Sequence, residues 1–246
     1  MLIIGKMKLA DVIHHDYNLV PVINRFGIPL GFGDSTIEEI CTDKKINCGF
    51  LLTILNTFHD KQYFSQEYFK SFSTGTIIKY LRKAHAYYLD RKIPEIKQLI
   101  RRLGEMSKGN KKTIKLIADF FDEYSAEFSK HVEREEKLVY PYVLSLEDSV
   151  FNNNTDRKHS EISDYSISHY EESHEDIEEK LFDLKNLLIK YMPSAIGDSG
   201  LFEENSYLLL REIFVLEKEL NEHSRIEDLI LVPKVEEMEK LLKIKN

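Results

Sequence analysis

The sequence predicts an all-α protein: an antiparallel up-down-up-down four-helix bundle preceded by a small helical domain. Three observations point there. From Thr74 onward, apolar residues recur at three- and four-residue steps through four long segments, the spacing of one helical face. Gly 10 and Pro 6 in 246 residues leave too few turn formers for a barrel or sandwich of many short strands. A chain that is 42% hydrophobic and 31% charged is globular and can bury a proper core, as one large domain or one with a small companion.

The first 60 residues form the small helical domain. Leu9–Phe26 reads as one helix, and Gly27-Ile-Pro-Leu-Gly-Phe-Gly33 as a turn. Ser35-Thr-Ile-Glu38 has the spacing of a capping box that opens a short helix to Cys41. Asn47 is placed to cap a further helix over Gly49–Phe58. Residues 61–73 read as a linker, and residues 74–246 as the bundle. Its helices are expected near Thr76–Leu103, Thr113–Leu144, Ser166–Tyr191 and Phe202–Leu242. Breaks are expected at Lys108–Lys112, where Gly109 suits a helix stop, at Asn152–Asp156, and at Pro193–Ser199. Pro141 and Pro233 fall late in the second and fourth helices, where a proline either kinks a helix or ends it.

Composition also excludes function classes. A formal net charge of −8 offers nothing to neutralise phosphates, so no nucleic-acid partner is expected. No apolar run approaches a membrane span, and Met1–Ile4 is too short for a signal core. No membrane partner is expected, and a cytoplasmic location is. Two cysteines, Cys41 and Cys48, make neither a zinc ribbon nor a disulfide framework. Both read as small packed hydrophobes, with a redox pair as the alternative. No G-x-S-x-G, P-loop, H-E-x-x-H or G-x-G-x-x-G is present.

The informative feature is an internal repeat. His131-Val-Glu-Arg-Glu135-Glu136 is followed by Pro141, and His223-Ser-Arg-Ile-Glu227-Asp228 by Pro233. Both read H-x3-E-[ED], with a proline ten residues after the histidine. The first and third helices each carry a histidine on the apolar side, His85 and His174. Residues four apart share a helix face, so each H-x3-E presents an imidazole and a carboxylate together. A lone histidine on an apolar face is usually a core residue; the coincidence of two such motifs is the argument. His14, His15, His59 and His159 lie outside the repeat, and His169 is turned about 140° from His174 on a helix.

Four histidines and two glutamates are too many donors for one tetrahedral zinc. They suit two divalent first-row metals, with His85, His131, His174 and His223 as imidazole ligands and Glu135 and Glu227 bridging. Two iron ions are expected because the set resembles known oxygen- and redox-active sites; manganese and zinc are the alternatives.

On these residues, 74–246 resembles a hemerythrin-like (HHE cation-binding) domain. Residues 8–58 resemble the small domain that precedes it in the di-iron family for repair of iron centres. The family often has a His-His pair on the first helix, where this chain has His85-Ala86 followed by Pro94. It also has a Cys-Cys-Gly-Gly motif where this chain has Gly31 and Phe32, followed by Thr36-Ile-Glu-Glu-Ile-Cys41 in place of Thr-Leu-x-x-Ala-Cys.

The resemblance implies a protein of nitrosative and oxidative stress that helps restore damaged iron–sulfur clusters, by iron donation or by removing nitric oxide. Its ligand would be a diatomic or a peroxide, and its partners damaged iron–sulfur proteins. Tyr88, Tyr124 or Tyr170 would donate hydrogen bonds near the site. The alternative is a dioxygen or nitric oxide carrier or sensor without turnover, or a scaffold with incidental histidines. A homodimer is expected from a small domain that needs a surface to pack on.

Overall fold

The structure is a computed structural model that describes residues 1–60, 62–63, 69, 71–107, 111–152, 172–193 and 200–245, apart from the side chains of 152, 172–176 and 243–245. The described residues are all-helical, with no strand among them. Most of the 61–73 segment, Gly109, the Asn152–Asp156 break beyond Asn152, Tyr170 and residues 194–199 lie outside them.

The N-terminal region is built from α1 (Leu9–His15), α2 (Val20–Arg25), α3 (Ile37–Lys44) and α4 (Cys48–His59). The single helix expected over Leu9–Phe26 is broken at Asp16, whose backbone is extended at φ −145° and ψ 93°. The Asp16 carboxylate accepts from the Asn18 N–H at 3.1 Å, which starts a 3₁₀ turn over Tyr17–Leu19. It also meets His59 Nδ1 at 2.9 Å, so a contact with α4 competes with local helix propagation. Pro21 then sits in the first turn of α2, where its missing N–H is not needed. The capping box lies one residue later than the spacing suggested. Thr36 accepts from the Glu39 N–H at 3.3 Å, and Glu39 accepts from the Thr36 N–H at 2.8 Å. Asn47 caps α4 as expected, accepting from the Phe50 N–H at 3.0 Å. Between α2 and α3, Gly27, Gly31 and Gly33 all have positive φ, which a side chain would strain.

Four long rods follow. Rod α5 comprises Thr74–Tyr87, a π turn at Tyr88–Lys92, and Ile93–Met106. Rod α6 comprises Lys111–Arg134, a π turn at Glu135–Val139, and Tyr140–Asn152. Rod α7 is Glu172–Tyr191. Rod α8 comprises Gly200–Ile226, a π turn at Glu227–Leu231, and Val232–Lys245. The rods touch in a ring, α5 on α6, α6 on α7, α7 on α8 and α8 on α5.

The prolines explain the π turns. Pro94, Pro141 and Pro233 have no N–H to give the carbonyl four residues back. In each case the residue before the proline bonds five residues back instead: Ile93 to the Tyr88 carbonyl, Tyr140 to Glu135 and Val232 to Glu227. Each helix thus absorbs one extra residue and continues. Neither Pro141 nor Pro233 ends its helix.

Two apolar cores stack along the ring. One joins the N-terminal helices to the start of α5 and the ends of α6 and α8, through Leu51, Ile54, Ile77, Leu81, Val143 and Leu231. The other fills the far half, around Leu103, Ile117, Phe121, Leu184 and Leu216.

A cation ties the N-terminal helices to the rods. The buried Arg25 guanidinium pairs with Glu219 of α8 and donates to the Tyr80 hydroxyl at 3.1 Å. The rings of Phe58, Tyr80 and Tyr87 stand 5.3–5.6 Å from it. Arg25→Ala leaves the Glu219 carboxylate buried and uncompensated, and is expected to lower unfolding stability by about 3–5 kcal/mol. A urea titration reads this, and Arg25→Met with Glu219→Leu should recover most of the loss.

Cys41 is buried on α3, as expected for a packed hydrophobe. Burial, with a hydrogen bond to Cys48, pushes its thiol up to about 12. Only the thiolate reacts, and a rise of three units from the ordinary value removes it about 10³-fold. Iodoacetamide at pH 8 should therefore modify native Cys41 that much more slowly than in urea, as mass spectrometry of the labelled peptide would show.

Candidate metal centre

Between the two apolar cores lies a polar layer. His85, Glu135, His223 and Glu227 are all buried, and each offers one donor atom within 4.8 Å of the others. His85 comes from the first segment of α5 and His223 from the last turn of the α-helical segment of α8, while Glu135 and Glu227 open the π turns of α6 and α8.

Glu135 spans two histidines. Its Oε2 lies 3.1 Å from His85 Nε2, and its Oε1 lies 3.0 Å from His131 Nε2. Glu227 Oε2 lies 3.3 Å from His223 Nε2. The i, i+4 spacing therefore does on α6 and α8 what it promised. The imidazoles of His85 and His223 face each other, Nε2 to Nε2, at 3.1 Å. Two such nitrogens and the carboxylates around them need positive charge between them, from a proton or a metal ion.

The surroundings orient these donors. His85 Nδ1 sits 2.9 Å from Glu136 Oε1, and Arg82 donates to the other Glu136 oxygen at 2.8 Å. A carboxylate on the far ring nitrogen sets the tautomer that leaves Nε2 free to ligate. The buried Tyr140 hydroxyl donates to Glu227 Oε1 at 2.7 Å. The Tyr140 ring stacks on His85 at 5.6 Å and 6°. Burial, then the Glu227 and Glu135 charges, hold its phenol well above the ordinary range, so Tyr140 stays a hydrogen-bond donor.

Of the six residues predicted from sequence, His85, His131, Glu135, His223 and Glu227 come together. His174 lies on α7, but its side chain is outside the described residues. Tyr88 is near the site: its hydroxyl donates to the Glu219 carbonyl at 3.1 Å and its ring lies 5.7 Å from His223. Tyr124 stacks on Phe121 and Phe128 instead.

Sequence reasoning missed Tyr140 and the role of Glu136. Glu136 was visible as the second acid of the repeat. Tyr140 was hidden because five α-helical residues turn about 140° from Glu135; the π turn reduces that offset and brings Tyr140 to Glu227 and His85.

A cavity of about 20 Å³ opens beside the donors, lined by His85, His131, Glu135, His223, Glu178 and Ser224 among others. That is room for about one water-sized molecule.

A donor set of imidazole nitrogens and carboxylate oxygens fits first-row metals. His223 Nε2 and His85 Nε2 would hold an ion with the two glutamates. Without metal, burial opposes the charge on His85, but hydrogen bonds to the Glu135 and Glu136 carboxylates outweigh it and push the group up to about 9. A raised folded value means that the protonated form stabilises the fold. That stability is complete below the unfolded value near 6.5 and is lost as pH rises through about 9. The metal-free chain should therefore melt at lower temperature at pH 9 than at pH 6.5. The metal-loaded chain should lack this His85-linked loss, and calorimetry of both forms checks it.

No helix among the described residues is long and apolar enough to cross a membrane. No curated protein matches the chain. The family model of the hemerythrin HHE cation binding domain matches residues 76–235, which contain every donor just described. The chain belongs to the hemerythrin HHE cation-binding family.

Proposed function

We propose that this chain is a non-haem di-iron protein of the iron–sulfur repair and nitrosative/oxidative stress type, acting on a diatomic or peroxide ligand. The observation that carries the two-ion reading is Glu135, with one carboxylate oxygen at His85 and the other at His131, 3.1 and 3.0 Å away. A single ion would leave one of those pairs idle. The ring of rod contacts supports an up-down-up-down bundle, and the proposal divides the chain into 1–60, a 61–73 linker and 74–246. It places the protein in the cytoplasm and takes damaged iron–sulfur proteins as partners and a homodimer as the assembly.

Iron held there would supply electron exchange with dioxygen, nitric oxide or peroxide. The chain does the rest. Glu136 fixes the His85 tautomer, Tyr140 holds one oxygen of Glu227, and the water-sized cavity admits only a small ligand. Gly31 and Phe32 stand where the repair family has its cysteine pair, so ligand chemistry in this chain is assigned to the bundle alone.

Purification without oxygen should yield two irons per chain and, after air exposure, an oxo-bridge absorption. His131→Ala with His223→Ala should lose both while keeping helical content. A folded wild-type chain that takes up no added iron overturns the proposal. Two irons with stable, reversible dioxygen binding would assign it instead to the carriers.

A further inference from the structure

The cavity beside the donors has a wall that neither the sequence repeat nor the proposed ligand set uses. Glu178 of α7 lines it together with His85, His131, Glu135 and His223. Its other neighbours there include Phe128, Ile177 and Leu220.

The sequence explains its placement. His174-Glu-Asp-Ile-Glu178 is a third H-x3-E. It escapes the repeat because Leu184, not a proline, stands ten residues after the histidine. In the two other copies, the i, i+4 spacing brings imidazole and carboxylate to 3.0 and 3.3 Å of each other inside the ring. On α7 the same spacing ends in a glutamate at the same cavity.

Charge points the same way. Two divalent ions bring four positive charges into a buried layer, and Glu135 and Glu227 cancel two of them. A third carboxylate moves the centre closer to neutrality, and carboxylate oxygens suit iron(II) and manganese(II).

We propose that Glu178 is a further carboxylate donor of the metal centre, contributed by α7. The two ions then differ. One sits among the four closely grouped buried donors, and the other, on the His131 side of Glu135, borders the cavity and takes Glu178. The proposal rests on the two-ion reading above.

The test is anaerobic titration of the metal-free chain with iron(II), read by metal content and calorimetry. Wild type should bind two equivalents. Glu178→Gln, nearly isosteric at a half-buried position, should keep the first and weaken the second at least about 10-fold, the lower end of what lost support costs a metal site. Glu178→His, which exchanges one donor for another, should restore the second equivalent. Glu179→Gln, next to it and exposed, should change neither. Two equivalents of unchanged affinity in Glu178→Gln, or failure of Glu178→His to restore the second, overturns the assignment of Glu178 while leaving the di-metal reading intact. One equivalent in wild type overturns both.

Discussion

Buried carboxylates facing buried imidazoles form the constraint on which the rest of this structure depends. Glu135 and Glu227 are almost wholly inaccessible, at 1% and 0% exposure, and lie in a layer between two apolar cores. Such groups are costly to bury unless charge is matched. Each glutamate has one imidazole on its own rod, but His85 of α5 meets Glu135 of α6 and His223 of α8, and Tyr140 of α6 meets Glu227 of α8, so the layer works only when α5, α6 and α8 are docked in register. The apolar cores above and below supply the burial that makes the layer's electrostatics strong, and the layer makes one docking register better than its neighbours.

The three π turns show how the chain reconciles that register with proline. Each proline removes a donor, and each rod answers by bonding five residues back rather than breaking. On α6 and α8 the carbonyl that accepts this bond belongs to the buried glutamate of the donor layer itself. On α5 the corresponding residue is Tyr88, whose hydroxyl reaches the Glu219 carbonyl instead of the donor layer. Similar local geometry thus carries a buried glutamate of the donor layer on two rods and a packing aromatic on the third. π turns recur at functional sites because they reset which side chains share a face, and the placement of Tyr140 beside Glu227 is an instance of it.

The N-terminal helices are coupled to the same layer. Arg25 reaches Glu219, one turn before His223 on α8, while Lys83 of α5 donates to the Arg25 carbonyl at 2.8 Å. The small region therefore supports the rods close to the metal layer even though it carries no adjacent cysteine pair.

Much of this was legible in the sequence by itself. Helical class, the four long segments and the two H-x3-E pairs follow from local periodicity, because side chains four residues apart share a helix face whatever the helix packs on. His85 was legible as the histidine on an apolar stripe. Tertiary structure decided the rest. The break at Asp16 depends on His59, 43 residues away. The tautomer of His85 depends on Glu136 of another rod, and the partner of Arg25 lies 194 residues along the chain. That Glu135 faces two histidines, that Tyr140 meets Glu227 and that Glu178 lines the cavity all depend on how far each rod is rotated about its own axis. Local periodicity says which residues share a face; only the packing of one helix on another says what that face meets.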